Sequence, residues 1–220
     1  TFHMPAFILV AGYFAKGFRK KGYMKKLTVK LLIPYIIFQI VFTIFFSIKG
    51  ENPTLSLFDP QWTLWFLLSL FSWHLLLFVF EKMKYAFVVS ILVGVIIGTL
   101  PFIGTYLSLS RTLVFFPFFL LGFLLQKKHF EKLVEAKWRM AGAIFLVSLF
   151  FNYYFFFYDI SKKWLFASYS YTEIVPVEEI GLFVRLILYG VMFLAAFSFL
   201  ALMPEKNYPF TRLGERTLYV

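Results

Sequence analysis

An apolar run over residues 2–14 closes on seven cations, Lys16, Arg19, Lys20, Lys21, Lys25, Lys26 and Lys30, with no acid among them. A soluble fold would have to bury that run whole while solvating the cations at its edge. A bilayer satisfies both demands, because apolar helices settle in hydrocarbon while Lys and Arg stay on the cytoplasmic side. The alternation then repeats. Further apolar segments at 27–48, 62–80, 85–101, 106–126, 140–158 and 180–203 are separated by short polar connections. A spanning helix needs about 20 residues, so the first segment, 2–15, is short and reads as tilted, interfacial or completed by upstream residues.

Composition leaves no soluble alternative. Hydrophobic residues make up 61% of the chain and charged ones 15%, with a mean hydropathy of +0.80. The net charge of +11 would suggest nucleic acid in a soluble protein. Here the cations sit between apolar segments, where membrane topology accounts for them. Cysteine is absent, so disulfide and thiolate chemistry are excluded, and His3, His74 and His129 lie too far apart for a zinc helix. No metal site is expected.

Placing the connections alternately on two sides tests the segment count. One side receives the 16–30 run, Glu81 to Lys84, the basic loop 127–139 and the segment 206–216; the other receives Thr1, the acidic loop 51–61, the turn at 102–104 and the loop 159–179. Base falls overwhelmingly on the first side, which is therefore cytoplasmic, with residue 1 extracytoplasmic. The expected fold is all-α: a polytopic integral membrane helical bundle of seven spans, with an eighth helix beginning near Thr217. Residues 1–220 read as a single transmembrane domain, cut at both ends from a longer membrane protein.

Few residues carry chemistry. His3, Arg111 and Arg185 all fall toward the extracytoplasmic side, close to or inside apolar sequence, where an ionisable group is costly and faces a cavity or a partner. A histidine can take a proton from a hydroxyl near neutral pH, and an arginine offers a fork of donors to an oxyanion, carboxylate or phosphate. Each also has a plain structural reading: His3 as an interfacial residue, Arg111 as an ion pair or snorkelling cation, Arg185 as a partner of Glu178 and Glu179. Arg111 reads as the most deeply placed fixed charge. The run from Arg19 to Lys30 suits an anionic cofactor with several phosphates, and equally positive-inside topology with anionic lipid. His74, mid-segment beside Trp73, reads as lining a polar pathway or as hydrogen-bonded between helices, and His129 as a loop residue. Trp65 and the aromatics at 150–158 fit an interfacial belt or a sugar platform.

Four stretches in matching order carry a family resemblance. Phe2-His3-Met4-Pro5-Ala6-Phe7 with Ala11-Gly12-Tyr13-Phe14, followed by Lys26-Leu27 and Lys30-Leu31-Leu32-Ile33-Pro34-Tyr35, resembles the early signature of the membrane acyltransferase 3 family, in its fucose 4-O-acetylase-like branch. Leu64-Trp65-Phe66-Leu67-Leu68-Ser69-Leu70 is similar to that branch's tryptophan motif, and Arg111-Thr112-Leu113-Val114-Phe115-Phe116-Pro117 to its arginine and proline helix. Leu213-Gly214-Glu215-Arg216-Thr217-Leu218 is similar to the start of its late helix.

The resemblance implies a membrane enzyme of about ten helices that moves an acyl group, usually acetyl from cytoplasmic acetyl-CoA, to a hydroxyl of a cell-surface or exported glycan. It maps His3 and Arg111 onto motif positions and Lys26 and Lys30 onto the basic residues before the Pro-Tyr of the second motif; joined with the readings above, the candidate site is His3 and Arg111 for catalysis, Arg19, Lys26 and Lys30 for the acyl-CoA phosphates, and Trp65 and Arg185 for the acceptor. The family's first helix, which ends in the histidine usually regarded as catalytic, would lie upstream of Thr1. The expected partners are acyl-CoA, a glycan acceptor, membrane lipid and other glycan-assembly proteins, in the cell membrane, without nucleic acid. Two rival classes share these features: a polysaccharide transporter or flippase-like component, and a non-catalytic scaffold of a glycan-assembly complex.

Overall fold

The computed structural model describes residues 3–50, 58–61, 63–100, 108–156, 171 and 178–203. Among the described residues the regular structure is entirely helical. Within them eight α-helices follow in order: α1 (His3–Phe14), α2 (Tyr23–Ile48), α3 (Trp65–Phe80), α4 (Ala86–Ile96), α5 (Leu109–Leu124), α6 (Lys127–Leu133), α7 (Ala136–Phe156) and α8 (Glu178–Ala201). Short 3₁₀ turns extend α1 at Ala15–Gly17 and α4 at Ile97–Thr99.

The apolar segments set these helices, and α2 shows what surrounds them. Its buried residues are Tyr35, Gln39 and Thr43, spaced four apart on one face, while Ile33, Ile36, Ile37, Phe38, Ile40, Val41, Ile44 and Phe45 are exposed. That is the reverse of a helix on a water-soluble core, which would hide its isoleucines and solvate its glutamine. A helix with apolar residues outward and polar ones inward is built for lipid.

Among the described residues two helices are long and apolar enough to cross a membrane, α2 and α8. A third span results only if α5 and α6 are taken together, and they meet at 100°. The helices α3 and α4 are apolar but shorter, and α1 has 12 residues, about 18 Å at 1.5 Å per residue. The 21 residues of α7 open on Lys137 and Arg139 and hold Asn152, Tyr153 and Tyr154, which dilutes their apolar character. Seven full-length spans are therefore not what the lengths give. The expected eighth helix, the segment 206–216 and the loops at 51–57 and 159–170 lie outside the described residues.

The core is α5. Ten of its 16 residues are buried, among them Phe115, Phe116, Phe118 and Phe119. It packs between α1, α3 and α4, with α8 against its Phe118 through Phe193, ring centroids 4.1 Å apart. Among the described helices the contact with α1 is the most extensive. A Cβ on Gly12 would run into the Phe119 carbonyl and one on Gly122 into the Leu9 carbonyl, so both glycines are needed for the two backbones to touch.

Several contacts fix which helix ends lie together. Lys16 at the end of α1 donates to the Leu125 carbonyl at the end of α5. Arg19 pairs with Glu81 at the end of α3, at 2.6 Å, and Tyr23 at the start of α2 reaches His74 on α3. Helices α1, α3 and α5 thus run parallel and finish at one basic end, where α2 begins. The first residues of α1, α3 and α5 lie at the other end.

One expected loop is helical. Within 127–139, α6 and the first turn of α7 replace coil, because Gln126 and His129 cap α6 reciprocally: the Gln126 N–H donates to His129 Nδ1 at 2.9 Å. His129 is a capping residue, not a loop residue.

Candidate functional site

At the end where α1, α3 and α5 start, the structure brings together two of the residues singled out above. Arg111, the third residue of α5, lies over the indole of Trp65, the first residue of α3, with its guanidinium carbon 5.4 Å from the ring centroid. Trp65 is stacked in turn on Phe115, one turn further along α5, at 5.7 Å. Within about 6 Å a guanidinium is attracted by the ring's negative face, and stacking leaves its donors around the edge of the plane. Three residues before Arg111, Ser108 has φ 49°, in the left-handed region that residues other than glycine visit at a cost.

Arg185 is the deeper of the two arginines, which corrects the expectation for Arg111. It stands two turns inside α8 and is 2% exposed, while Arg111, near the first turn of α5, is half-buried. Arg185 lies over the ring of Tyr171, its guanidinium carbon 5.8 Å from the centroid. Tyr171 is fully buried on Gly98 and Gly181, where a Cβ would strike the ring. Its hydroxyl donates to the Val95 carbonyl at 2.7 Å, occupying one of the last carbonyls of α4. Burial raises the Tyr171 phenol above its ordinary pKa, against the pull of the neighbouring Arg185.

Between these arginines and the core, side chains of α3 and α8 bond the α5 backbone near Pro117. Pro117 has no N–H for the Leu113 carbonyl and crowds the preceding turn. The Tyr189 hydroxyl of α8 donates to the Val114 carbonyl and Trp73 Nε1 of α3 to the Thr112 carbonyl, both at 2.7 Å. The Ser69 and Thr112 hydroxyls share a hydrogen bond of 2.6 Å. The Trp73 and Tyr189 bonds fall on the carbonyls either side of Leu113 and tie α5 to α3 and α8.

His3 starts α1 at the same end and is exposed. It makes no hydrogen bond or ion pair with another described residue, so the structure does not join it to Arg111. At the basic end, Lys26 and Lys30 are exposed four residues apart on α2, while Arg19 is held by Glu81. Beside them lies a pair the sequence did not reveal. His74 Nδ1 donates to the Leu70 carbonyl at 2.7 Å, which leaves Nε2 to accept from the Tyr23 hydroxyl at 3.1 Å. The interhelical reading of His74 holds.

A family model described as an acyltransferase domain matches residues 1–220. The chain belongs to the acyltransferase 3 family. The match is to the family as a whole and does not single out the fucose 4-O-acetylase-like branch. No curated protein and no solved structure matches the chain. As an acyltransferase 3 domain with lipid-facing apolar helices, it is a membrane acyltransferase in general terms, and the two arginines at one end of its bundle are set by packing that runs through all of α3, α5 and α8.

Proposed function

We propose that this protein is a membrane O-acyltransferase that moves an acetyl group from cytoplasmic acetyl-CoA to a hydroxyl of a cell-surface or exported glycan. The observation that carries the reading is the division of charge between the two ends of one bundle. Arg111 on Trp65 lies at one end, while Arg19, Lys26 and Lys30 lie at the other. Acyl transfer across a membrane wants that division, with a polyphosphate donor held on one side and a polar acceptor on the other.

In this reading the donor's phosphates lie against Lys26 and Lys30, with Arg19 beside them, and its thin pantetheine arm enters the bundle. The acceptor hydroxyl attacks the thioester carbonyl, its proton passes to a histidine, and the tetrahedral intermediate collapses to ester and thiolate, which takes the proton back from the histidine and leaves as thiol. Arg111 supplies donors to the developing oxyanion. His3 is a histidine on that side, and Trp65 and Arg185 shape the acceptor side. The parallel course of α1, α3 and α5, with cations gathered at their finishing ends, supports a topology of seven alternating segments with that end cytoplasmic. Segments shorter than about 20 residues would cross where the bundle locally thins the bilayer.

The test is transfer of radiolabelled acetyl from acetyl-CoA to membrane glycans by the whole protein, beside Arg111→Ala. Label incorporated by the wild type and lost in a folded variant is the expected result. Absence of label with every envelope glycan offered, together with glycan flux in sealed vesicles, would replace the enzyme reading with transport.

A further inference from the structure

A cavity of about 570 Å³ lies at the basic end, where α6 meets the start of α7 and the end of α8. It has no part in the proposed transfer. Its wall is apolar, made by Leu133, Ala141, Phe145, Leu194, Phe197 and Ala201. Beside it α7 and α8 cross closely, since a Cβ on Gly142 would sit 3.1 Å from the Ser198 Cα.

The polar groups gather on the segment that lines one side. His129 and Lys132 of α6 line the cavity together with Trp138. The Gln126 N–H occupies His129 Nδ1, so the neutral ring carries its proton on Nε2 as a donor. The local acids are engaged elsewhere: Glu131 pairs with Lys127 at 3.6 Å and Glu135 with Lys137 at 3.0 Å. The segment as a whole holds five cations, Lys127, Lys128, Lys132, Lys137 and Arg139, against those two acids. Trp138 is half-exposed with Lys137 at its ring face, the pairing found where a helix passes from hydrocarbon into headgroups. The bend between α5 and α6, 100°, turns α6 away from the direction of α5 at that depth.

We propose that this cavity binds an anionic glycerophospholipid, one acyl chain against the apolar wall and the phosphate at Lys132 and His129. The volume is that of a ligand site. Charge selects an anionic over a zwitterionic headgroup. The wall selects a hydrocarbon chain over the donor's pantetheine arm, whose amides would meet few polar groups there beyond the Ser198 hydroxyl.

The test is native mass spectrometry of the whole purified protein with equimolar phosphatidylglycerol and phosphatidylcholine. The wild type should retain phosphatidylglycerol preferentially. Lys132→Ala should reduce that preference roughly fivefold, the worth of one lysine beside an anionic headgroup, and Lys132→Arg should keep it. Ala141→Trp, which fills the cavity from an exposed position, should abolish the preferred site while leaving helical content and thermal midpoint unchanged. Equal retention of the two lipids by wild type and Lys132→Ala would mean annular lipid only and would overturn the proposal. So would displacement of phosphatidylglycerol by a non-hydrolysable acetyl-CoA analogue, which would make the cavity the donor's site.

Discussion

The Arg111 guanidinium rests on the indole of Trp65, 5.4 Å from its centroid, so the first turns of α3 and α5 present one composite surface. If Arg111 stabilises the oxyanion of acyl transfer, Arg111→Ala should lower acetyl incorporation by about 10²–10³-fold. Trp65→Leu should lower it by roughly two- to fivefold, as expected for a partly exposed cation–π contact. The coupling is the sharper test. In the Arg111→Ala background, Trp65→Leu should add almost nothing, and a full independent loss would separate the two residues.

The α1–α5 contact predicts a contrast between glycines. Gly122→Ala pushes a methyl into the Leu9 backbone, which has no rotamer to yield, and should cost about 1–3 kcal/mol or more. Gly190 faces open space on α8. Gly190→Ala should leave stability unchanged or raise it by about 0.5–1 kcal/mol. Thermal midpoints in one detergent compare them, and equal midpoints would deny the close crossing.

Tyr189→Phe keeps the ring but removes the donor to the Val114 carbonyl. Hydrogen bonds between membrane helices average about 0.6 kcal/mol, with a maximum near 1.7. The loss should fall in that range, and it should persist in a Pro117→Ala background, because the regained N–H faces the Leu113 carbonyl and not that of Val114. A loss that vanishes in that background would show that the bond depends on the proline's distortion of α5.

Tyr171 gives a pH dependence with a definite sign. Its folded pKa is raised above the ordinary value of about 10, so its contribution is fully present below that pH and fades as pH rises through the folded value. The stability difference between wild type and Tyr171→Phe should be constant from pH 7 to about 9 and should shrink above about 10. Denaturation midpoints across that range check it; a difference that grows with alkalinity would mean a lowered pKa instead.

The helices themselves were legible in the residues. The ends of α2 at Ile48 and of α3 at Phe80 fall where apolar sequence meets charge, because a backbone in lipid must close its own hydrogen bonds and helix is its local solution. The gathering of Lys16, Arg19 and the start of α2 at one end was legible for the same reason, since charge patterning is one-dimensional. Arg111 and Trp65 were legible as separate candidates, each from its own motif.

Their meeting was not. Which faces touch is decided by residues about 110 positions apart, Gly12 and Gly122, and small residues announce nothing until two backbones approach. The same holds for Arg185, whose burial depends on Tyr171 settling over Gly98 and Gly181, and for His74, whose partner Tyr23 comes from another helix. Local hydrogen bonding and charge are written in the order of the residues and fixed the helices, their order and the basic side. Interhelical packing depends on shape complementarity between distant segments, and that alone decided that α5 is the core, that Arg185 is buried more deeply than Arg111 and that an apolar cavity opens beneath a cationic turn.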